Sequence, residues 1–448
     1  MNQPPLILLI NPWIYDFAAH DFFARPLGLL YLAGRLLAQG YAVRLIDCLE
    51  RPTDRMALKE ATLKGTAATG RYPKEPLPTP APLAGVPRRY GRYGISETAF
   101  QEKLGITPRP AAVLVTSLMT YWYPGVQAVI RRVRDHFPGV PVVLGGIYAT
   151  LCPEHARQQS GADLVQTGPG ETEILALLAE LTGWDRPLPP VLDDLDALPY
   201  PALHLLPERR LIPLLTSRGC PLACDYCAAR LLQPRFGQRR PGAVVEELSY
   251  WQARLGIKEV AFYDDALLVK AESHILPILE GVLSRGLNLR FHTPNGLHLK
   301  LINPLVAKWL KKANFATLRL GLETTALGRE RLDSKVQAGD LEQALAALQE
   351  AGFSPEQIGV YLLIGLPHQQ DSQIEASIRR VRALGGTPVL AQYSPIPHTA
   401  LWPEAVRISR YELAAEPLFH NDSIFPCWPE FSWSRYSRLK RLAAGGEE

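Results

Sequence analysis

The chain has 448 residues, with 48 Lys plus Arg against 44 Asp plus Glu, a net charge of +4 and 47% hydrophobic residues. That length predicts two or three domains with a sizeable core, and the mild charge balance offers no electrostatic case for a nucleic-acid partner. Of the 6 cysteines, Cys48, Cys152 and Cys427 are scattered as in a reducing cytosol. The chain opens Met-Asn-Gln with no basic leader, and no apolar run approaches the roughly 18 residues of a membrane helix. A soluble, cytoplasmic protein without internal repeats or a membrane span is the expectation.

Residues 5–11 read as a buried strand stopped by Pro12. Residues 27–39 are apolar at helical spacing with Gly40 in the stop position, and 42–46 form a second strand closing at Asp47. Residues 51–110 break this alternation. Six prolines between Pro73 and Pro87 disfavour a helix or a central strand. The cluster Arg88, Arg89, Tyr90, Arg92 and Tyr93 suggests an ordered strap on the surface rather than a free linker. Alternation then resumes: strand 111–116, helix 126–136, strand 141–144 before Gly145-Gly146, a short helix 153–159, strand 162–166 and helix 172–181. Strands alternating with helices predict a Rossmann-like, doubly wound parallel sheet over 1–190, whose ligand lies at the strands' carboxyl ends. Residues 191–207, with Leu198-Pro199-Tyr200-Pro201, read as a linker.

After the short apolar strand 211–215 comes Cys220-Pro221-Leu222-Ala223-Cys224-Asp225-Tyr226-Cys227, a Cys-x3-Cys-x2-Cys spacing. Cysteine sulfur suits iron–sulfur clusters and zinc alike. Structural zinc sites favour four ligands, often as two pairs, and there is no second Cys-x2-Cys. An odd number of thiols makes a disulfide framework a poor reading. Three thiolates on one loop can hold three irons of a cubane and leave the fourth without a protein ligand.

This spacing, with an aromatic residue before the last cysteine, resembles the radical S-adenosylmethionine superfamily. The resemblance implies a 4Fe-4S cluster on Cys220, Cys224 and Cys227. It also implies S-adenosylmethionine on the open iron and Tyr226 beside the adenine. In such enzymes one electron from the cluster cleaves the sulfonium to a 5′-deoxyadenosyl radical. The segment Leu144 to Leu151 with Pro153-Glu154, the turn Gly168-Pro169-Gly170-Glu171, and Asn11-Pro12 with Arg25-Pro26-Leu27-Gly28 resemble the cobalamin-binding domain that precedes many of these cores. By that resemblance Asn11, Ser117, Gly145, Gly146, Thr167, Gly168, Gly170 and Glu171 are the candidate cobalamin-binding residues. A flat corrin needs bare backbone near the strand ends. The usual Asp-x-His-x-x-Gly motif for a lower cobalt ligand is missing: none of the 10 histidines has aspartate two before it, and the second strand is followed by Asp47-Cys48-Leu49-Glu50.

The strand–helix alternation restarts after the cysteines. Strands at 259–263, 289–292, 317–322, 357–364 and 387–393 alternate with helices at 242–255, 275–285, 305–312, 341–351 and 374–384. With the strand before Cys220 this makes six steps, so residues 208–400 predict a partial (β/α)6 TIM-type barrel with polar groups at the carboxyl ends. The resemblance places Asp264, Asp265, Glu323 and Gly365 at the S-adenosylmethionine site. Asp264 and Asp265 have the alternative of capping the next helix, and Glu323 that of pairing with Arg319 or Arg290. His292, Asn295 and His298 read as structural. Residues 401–448 form a small C-terminal extension ending in a basic helix at 434–443. Its aromatic residues suggest a cover for the barrel mouth, and Cys427 is either a second reactive thiol or, more commonly for such a residue, an inert buried one.

The reading is therefore an α/β enzyme using a 4Fe-4S cluster, S-adenosylmethionine and cobalamin to methylate an unactivated carbon. The substrate could be a small molecule, lipid or peptide, and an electron donor such as flavodoxin or ferredoxin is implied. Two alternatives are enzymatic: cobalamin-assisted radical cyclisation or rearrangement, and non-radical carbon methylation. A third is a corrinoid-binding or sensor protein with a structural cluster. An RNA-methylthiolating enzyme is disfavoured, because the first half lacks a second three-cysteine set.

Overall fold

The computed structural model describes residues 3–51, 69–184, 186–187, 194–326, 332–428 and 430–446. The chain divides into two compact units: one runs to Arg209 and takes in Pro417–Phe419, the other comprises Arg210–Glu416 and the residues from His420 on.

The first unit is built on five parallel strands, β1 (Leu6–Asn11), β2 (Ala42–Asp47), β3 (Ala112–Val115), β4 (Val142–Leu144) and β5 (Leu164–Val165). Their order is β2-β1-β3-β4-β5, with every neighbouring pair parallel. Ile7, Leu8, Leu9 and Ile10 of β1 and Val113 of β3 are fully buried, as strands covered on both faces must be. One face carries the helices Leu27–Ala38 and Gly170–Thr182, which close a core of Ile7, Leu9, Leu29, Leu36, Leu114 and Leu178. The last strand keeps only Leu164 and Val165 of the expected 162–166, flanked by backbone bonds from Asp163 to Val142 at 2.9 Å and from Gln166 to Leu144 at 2.8 Å.

Part of the proline-rich insertion is regular structure. Lys74–Pro76, Gly91–Tyr93 and Ile14–Asp16 make a three-stranded antiparallel sheet, and Thr69–Arg71 pairs with His20–Phe22. Pro76 sits on an edge strand, where its missing N–H costs no ladder bond. Residues 52–68 lie outside the described residues. The arginine–tyrosine cluster ties the insertion down. Buried Arg92 pairs with Glu75 and, at 3.0 Å, with Glu97, and its guanidinium lies 4.8 Å from the Trp13 ring centre. Tyr93 donates to the Phe17 carbonyl at 2.8 Å and Tyr90 to that of Tyr15 at 3.1 Å. A helix, Glu97–Gly105, also stands inside the span expected to lack one. It begins beyond the last proline of the run, where the Ser96 hydroxyl accepts from the Ala99 amide, an ordinary N-cap.

The second unit strings its strands in chain order: β6 (Leu211–Leu214), β7 (Glu259–Phe262), β8 (Arg290–His292), β9 (Phe315–Glu323), β10 (Ile358–Ile364) and β11 (Thr387–Gln392). All neighbours are parallel. Helices Pro241–Leu255, Ile275–Ser284, Pro304–Lys312, Asp340–Glu350 and Asp371–Ala383 alternate with them. A short strand not expected from the sequence, Leu297–His298, pairs with Leu320 and Gly321 of β9. Among the described residues β6 and β11 do not pair, so the barrel is open. Of the C-terminal extension, Phe425 lies against Gly365 just past β10, and the terminal helix Trp433–Ala444 lies elsewhere. It packs along β11 and the helix Asp371–Ala383, where Arg435 pairs with Asp371 at 2.6 Å and Arg438 with Glu375 at 2.5 Å. Its basic face is used for these ion pairs.

Arg92→Ala would take from Glu75 its arginine partner, leave Glu97 with Arg132 alone, and remove the guanidinium from Trp13. We expect a loss of about 2–4 kcal/mol, read as a lowered thermal midpoint.

Candidate cofactor sites

At the carboxyl end of β6 the chain leaves the sheet as a loop with little regular structure, and one carboxylate holds it. Asp264, just past β7, is 3% exposed. It accepts from the Thr216 amide at 3.1 Å, the Thr216 hydroxyl at 2.7 Å and the Ser217 hydroxyl at 2.6 Å. The buried His274 ring lies 2.9 Å from the same Thr216 hydroxyl. Burial pushes the Asp264 carboxyl up to about 6, against the pull of those donors. Ser217–Arg218 then pairs antiparallel with Gly237–Gln238. Gly219 follows at φ +76°, where a Cβ would stand 2.7 Å from the Arg235 carbonyl oxygen. Only glycine turns there without displacing the returning strand.

This turn presents Cys220, Cys224 and Cys227, all free thiols. Cys220 and Cys224 are half-buried and Cys227 reaches solvent. Burial raises all three, Cys224 to about 11, and Cys227 bears electrostatically on both of the others. Among the described residues no three His, Cys, Asp or Glu side chains gather around a single ion. Three thiols on one loop match the ligands of a cubane, whose thiolates each take a different iron. The donor set fits a 4Fe-4S cluster.

Tyr226, between the second and third cysteines, connects the loop to residues past β9. Its hydroxyl donates to Asp333 at 3.4 Å, and the Lys335 ammonium lies 5.7 Å from its ring centre. The Asp225 amide donates to the Leu332 carbonyl at 2.9 Å. Glu323 ends β9 and pairs with Lys335, not with either arginine considered from sequence. Arg290 is taken by Glu259, and Arg319 is bonded to Tyr361. Lys335 and Asp333 carry no sequence motif, and only the fold brings them to the cysteines. His298 is buried nearby, and burial with the Lys335 charge brings it down to about 4.

The two aspartates part company. Asp264 caps no helix and is fully engaged beneath the loop. Asp265 forms no hydrogen bond or ion pair among the described residues, and its charge bears on Cys220 and Cys227. Gly365 follows β10. Its amide donates to Gln369 Oε1 at 2.9 Å, and its open side faces the Phe425 ring, 3.0 Å from where a Cβ would be. His292 is buried against Glu259 at 3.0 Å, and the Asn295 amide donates to the Tyr263 carbonyl at 2.9 Å, both structural roles. Cys427 is fully buried, its thiol raised to about 12 by burial, which matches an inert thiol.

In the first unit the strand order reverses direction between β1 and β3, and open parallel sheets bind ligands at that switch point. At its rim the Asn11 amide donates to Asp47 at 2.8 Å, and Asp47 also accepts from the Leu49 amide at 2.9 Å. Ser117, after β3, donates to the Gly145 carbonyl at 2.7 Å. Gly146 has φ +94°, and a Cβ there would lie 2.3 Å from the Ser117 carbonyl oxygen. The bare backbone is thus needed for loop against loop as well as for any ligand. Thr150 accepts from the Gly168 amide at 3.0 Å, joining the β4 and β5 loops. Gly168 itself borders open space, Thr167 is exposed, and Gly170 faces inward toward Leu32. Glu171 lies in the first turn of its helix. Leu118 and Met119, 37% and 42% exposed, form an apolar shelf beside Ser117. Cys48 is wholly buried and turns no sulfur to this surface. A flat, largely apolar group fits this glycine-edged shelf.

The sequence profile of the radical SAM superfamily matches residues 214–381, and that of the B12 binding domain matches residues 103–178. An uncharacterized methyltransferase of Pyrococcus horikoshii is 28% identical over 334 residues, spanning 66% of this chain and 70% of its own. The hopanoid C-3 methylase of Methylococcus capsulatus is 25% identical over 259 residues, 52% of this chain and 49% of its own. Among solved structures, the radical S-adenosylmethionine methyltransferase TsrM from Kitasatospora setae, with cobalamin and a [4Fe-4S] cluster bound, aligns at TM-score 0.64. Its identity is 17%, covering 98% of this chain and 91% of that one. The cobalamin-dependent enzyme OxsB aligns at TM-score 0.59 and 13% identity, over 99% and 62% of the two chains. At those identities the structural likeness is one of fold.

Asp264→Ala would leave two buried hydroxyls and an amide without their acceptor. We expect a loss of at least about 2 kcal/mol and reduced iron uptake, read by melting and iron assay. The Asp264 carboxyl is raised from its ordinary 3.8 to about 6. Its contribution to stability is fully present below about pH 4 and lost as pH rises through about 6. Asp264→Asn should flatten that part of the melting profile. Cys427→Ala should leave iron content unchanged.

Proposed function

We propose that this chain, a radical S-adenosylmethionine superfamily member carrying a B12 binding domain, is a cobalamin-dependent methyltransferase acting on carbon. The carrying observation is the thiol loop. Three cysteines on a rigid turn follow the first strand of an open barrel, in a chain whose other sheet presents a glycine-edged switch point.

Cys220, Cys224 and Cys227 would hold the 4Fe-4S cluster, leaving one iron for S-adenosylmethionine. When bound, the cluster supplies the electron that cleaves S-adenosylmethionine, and cobalamin supplies the methyl group. Asp264 fixes the loop from beneath. Asp265, free and adjacent to the thiols, receives the amino group of the methionine moiety. Tyr226 lies against the adenine, Glu323 contributes with Lys335 beside it, and Gly365 lies at the edge of the site. In the first unit Ser117, Gly145, Gly146, Thr167 and Gly168 would border the corrin, with Leu118 and Met119 offering it apolar surface. Asn11, Gly170 and Glu171 shape that rim, Asn11 by holding Asp47. No histidine of an Asp-x-His motif is present to ligate the lower cobalt face.

The substrate we propose is a small molecule. TsrM, which shares the fold, takes tryptophan as its substrate, and that supports a small molecule here. A low-potential donor such as flavodoxin or ferredoxin delivers the electron. The cytoplasm is the proposed compartment: the cysteines are all free, and such a cluster survives where thiols stay reduced. No helix among the described residues is long and apolar enough to cross a membrane.

Anaerobically reconstituted protein supplied with hydroxocobalamin should bind about four irons and one cobalt per chain. Replacing all three loop cysteines with alanine should abolish the iron. With substrate and a reductant, both 5′-deoxyadenosine and S-adenosylhomocysteine should accumulate. Deoxyadenosine alone would indicate cyclisation or rearrangement, and S-adenosylhomocysteine alone would indicate non-radical methylation. Four irons without cobalt, or zinc in their place, would remove the basis of the methyltransferase reading.

A further inference from the structure

Lys335 belongs to none of the sequence patterns, yet it stands at the centre of the charges around the thiol loop. Its side chain is 10% exposed and its ammonium is paired with Glu323, 12 residues earlier. It lies 5.7 Å from the ring centre of Tyr226, between Cys224 and Cys227. Asp333 anchors the same stretch: it accepts from the Lys335 amide at 3.0 Å and from the Tyr226 hydroxyl at 3.4 Å. The amine and the ring are therefore held together from both sides.

Burial opposes the charge on Lys335, but Glu323, Cys224 and Asp333 outweigh it and keep the amine above its ordinary value. It is a fixed cation at neutral pH. Tyr226 stands two residues after Cys224 and one before Cys227, so the cation near its ring is held beside the thiol loop, with the Glu323 carboxylate set against it. A cluster that takes up an electron gains negative charge, and a fixed cation in a poorly solvated site favours the reduced form.

We propose that Lys335, held against Tyr226 by Glu323, is an electrostatic positioning residue that eases one-electron reduction of the cluster on Cys220, Cys224 and Cys227. The inference rests on the assignment of those thiols as cluster ligands. One electron passes from an external one-electron donor to the cluster; no bond in the chain forms or breaks. Glu323 works against Lys335, so the pair sets the potential between two opposing charges.

The test is a redox titration of the reconstituted full-length protein, followed by electron paramagnetic resonance, without S-adenosylmethionine and with dithionite or titanium(III) as donor. Iron and sulfide are counted first. Lys335→Met should lower the reduced-to-oxidised ratio at a fixed solution potential about tenfold, which is about 59 mV for a one-electron couple. Lys335→Arg should restore most of the shift, and Glu323→Gln should move the ratio the other way. A packing defect would not give opposite signs from the two partners. Normal iron with an unchanged ratio in Lys335→Met, or shifts of the same sign in both variants, would overturn the proposal. If Lys335→Met fails to take up iron, Glu323→Gln decides: an upward shift supports the role and no shift overturns it. Failure of the wild-type chain to bind iron would instead overturn the thiol assignment itself.

Discussion

The thiol loop depends on one buried carboxylate. Asp264 receives an amide and two hydroxyls from Thr216 and Ser217, and so fastens the loop after β6 to the end of β7. Holding a carboxylate out of water is costly, and its raised pKa records that cost. The return is rigidity where there is little regular structure. Two residues of antiparallel pairing and a left-handed glycine complete the turn. A site that must receive a cofactor on three separate sulfurs benefits from ligands held in place beforehand.

Both units obey the same constraint by different means. Their strands are parallel and buried, so the faces are apolar and unsuited to polar ligands. Only the loops at the carboxyl ends are free to vary. In the first unit the strand order β2-β1-β3-β4-β5 opens a cleft where the direction of winding reverses. Glycines let the loops after β3, β4 and β5 approach one another there. In the second unit the strands follow in chain order, and each loop points its polar residues to one end. The barrel stays open because six strands are too few to close by the geometry that eight satisfy.

Charge at the second site is shared between distant segments. Glu323 was expected to find Arg319, four residues before it, or Arg290. Those arginines reach across to the neighbouring strands, to Tyr361 and Glu259, and the carboxylate turns to Lys335 on the following loop. The Tyr226 ring, chosen for its place between two cysteines, gains a hydroxyl partner in Asp333 and a cation over its face. The helix Glu97–Gly105 and the strand Leu297–His298 escaped notice for related reasons. The first stands beside a proline-rich run that dominates its window, and the second has two residues, too few for any periodicity to register.

Spacing and periodicity in the sequence sufficed for the alternation of strands and helices, the polar strand ends, the Cys-x3-Cys-x2-Cys loop and the glycine turns. All of these are written within a few residues of one another, and local backbone preference and side-chain alternation carry them. Tertiary structure alone decided that β1 lies between β2 and β3, that Asp264 supports the loop while Asp265 remains open, and that Lys335 faces Tyr226. It also decided that the basic terminal helix packs on β11. These are partnerships between groups far apart in the chain. Which of several plausible partners a charge takes depends on distance and burial in the folded protein, and neither is set by the order of residues nearby.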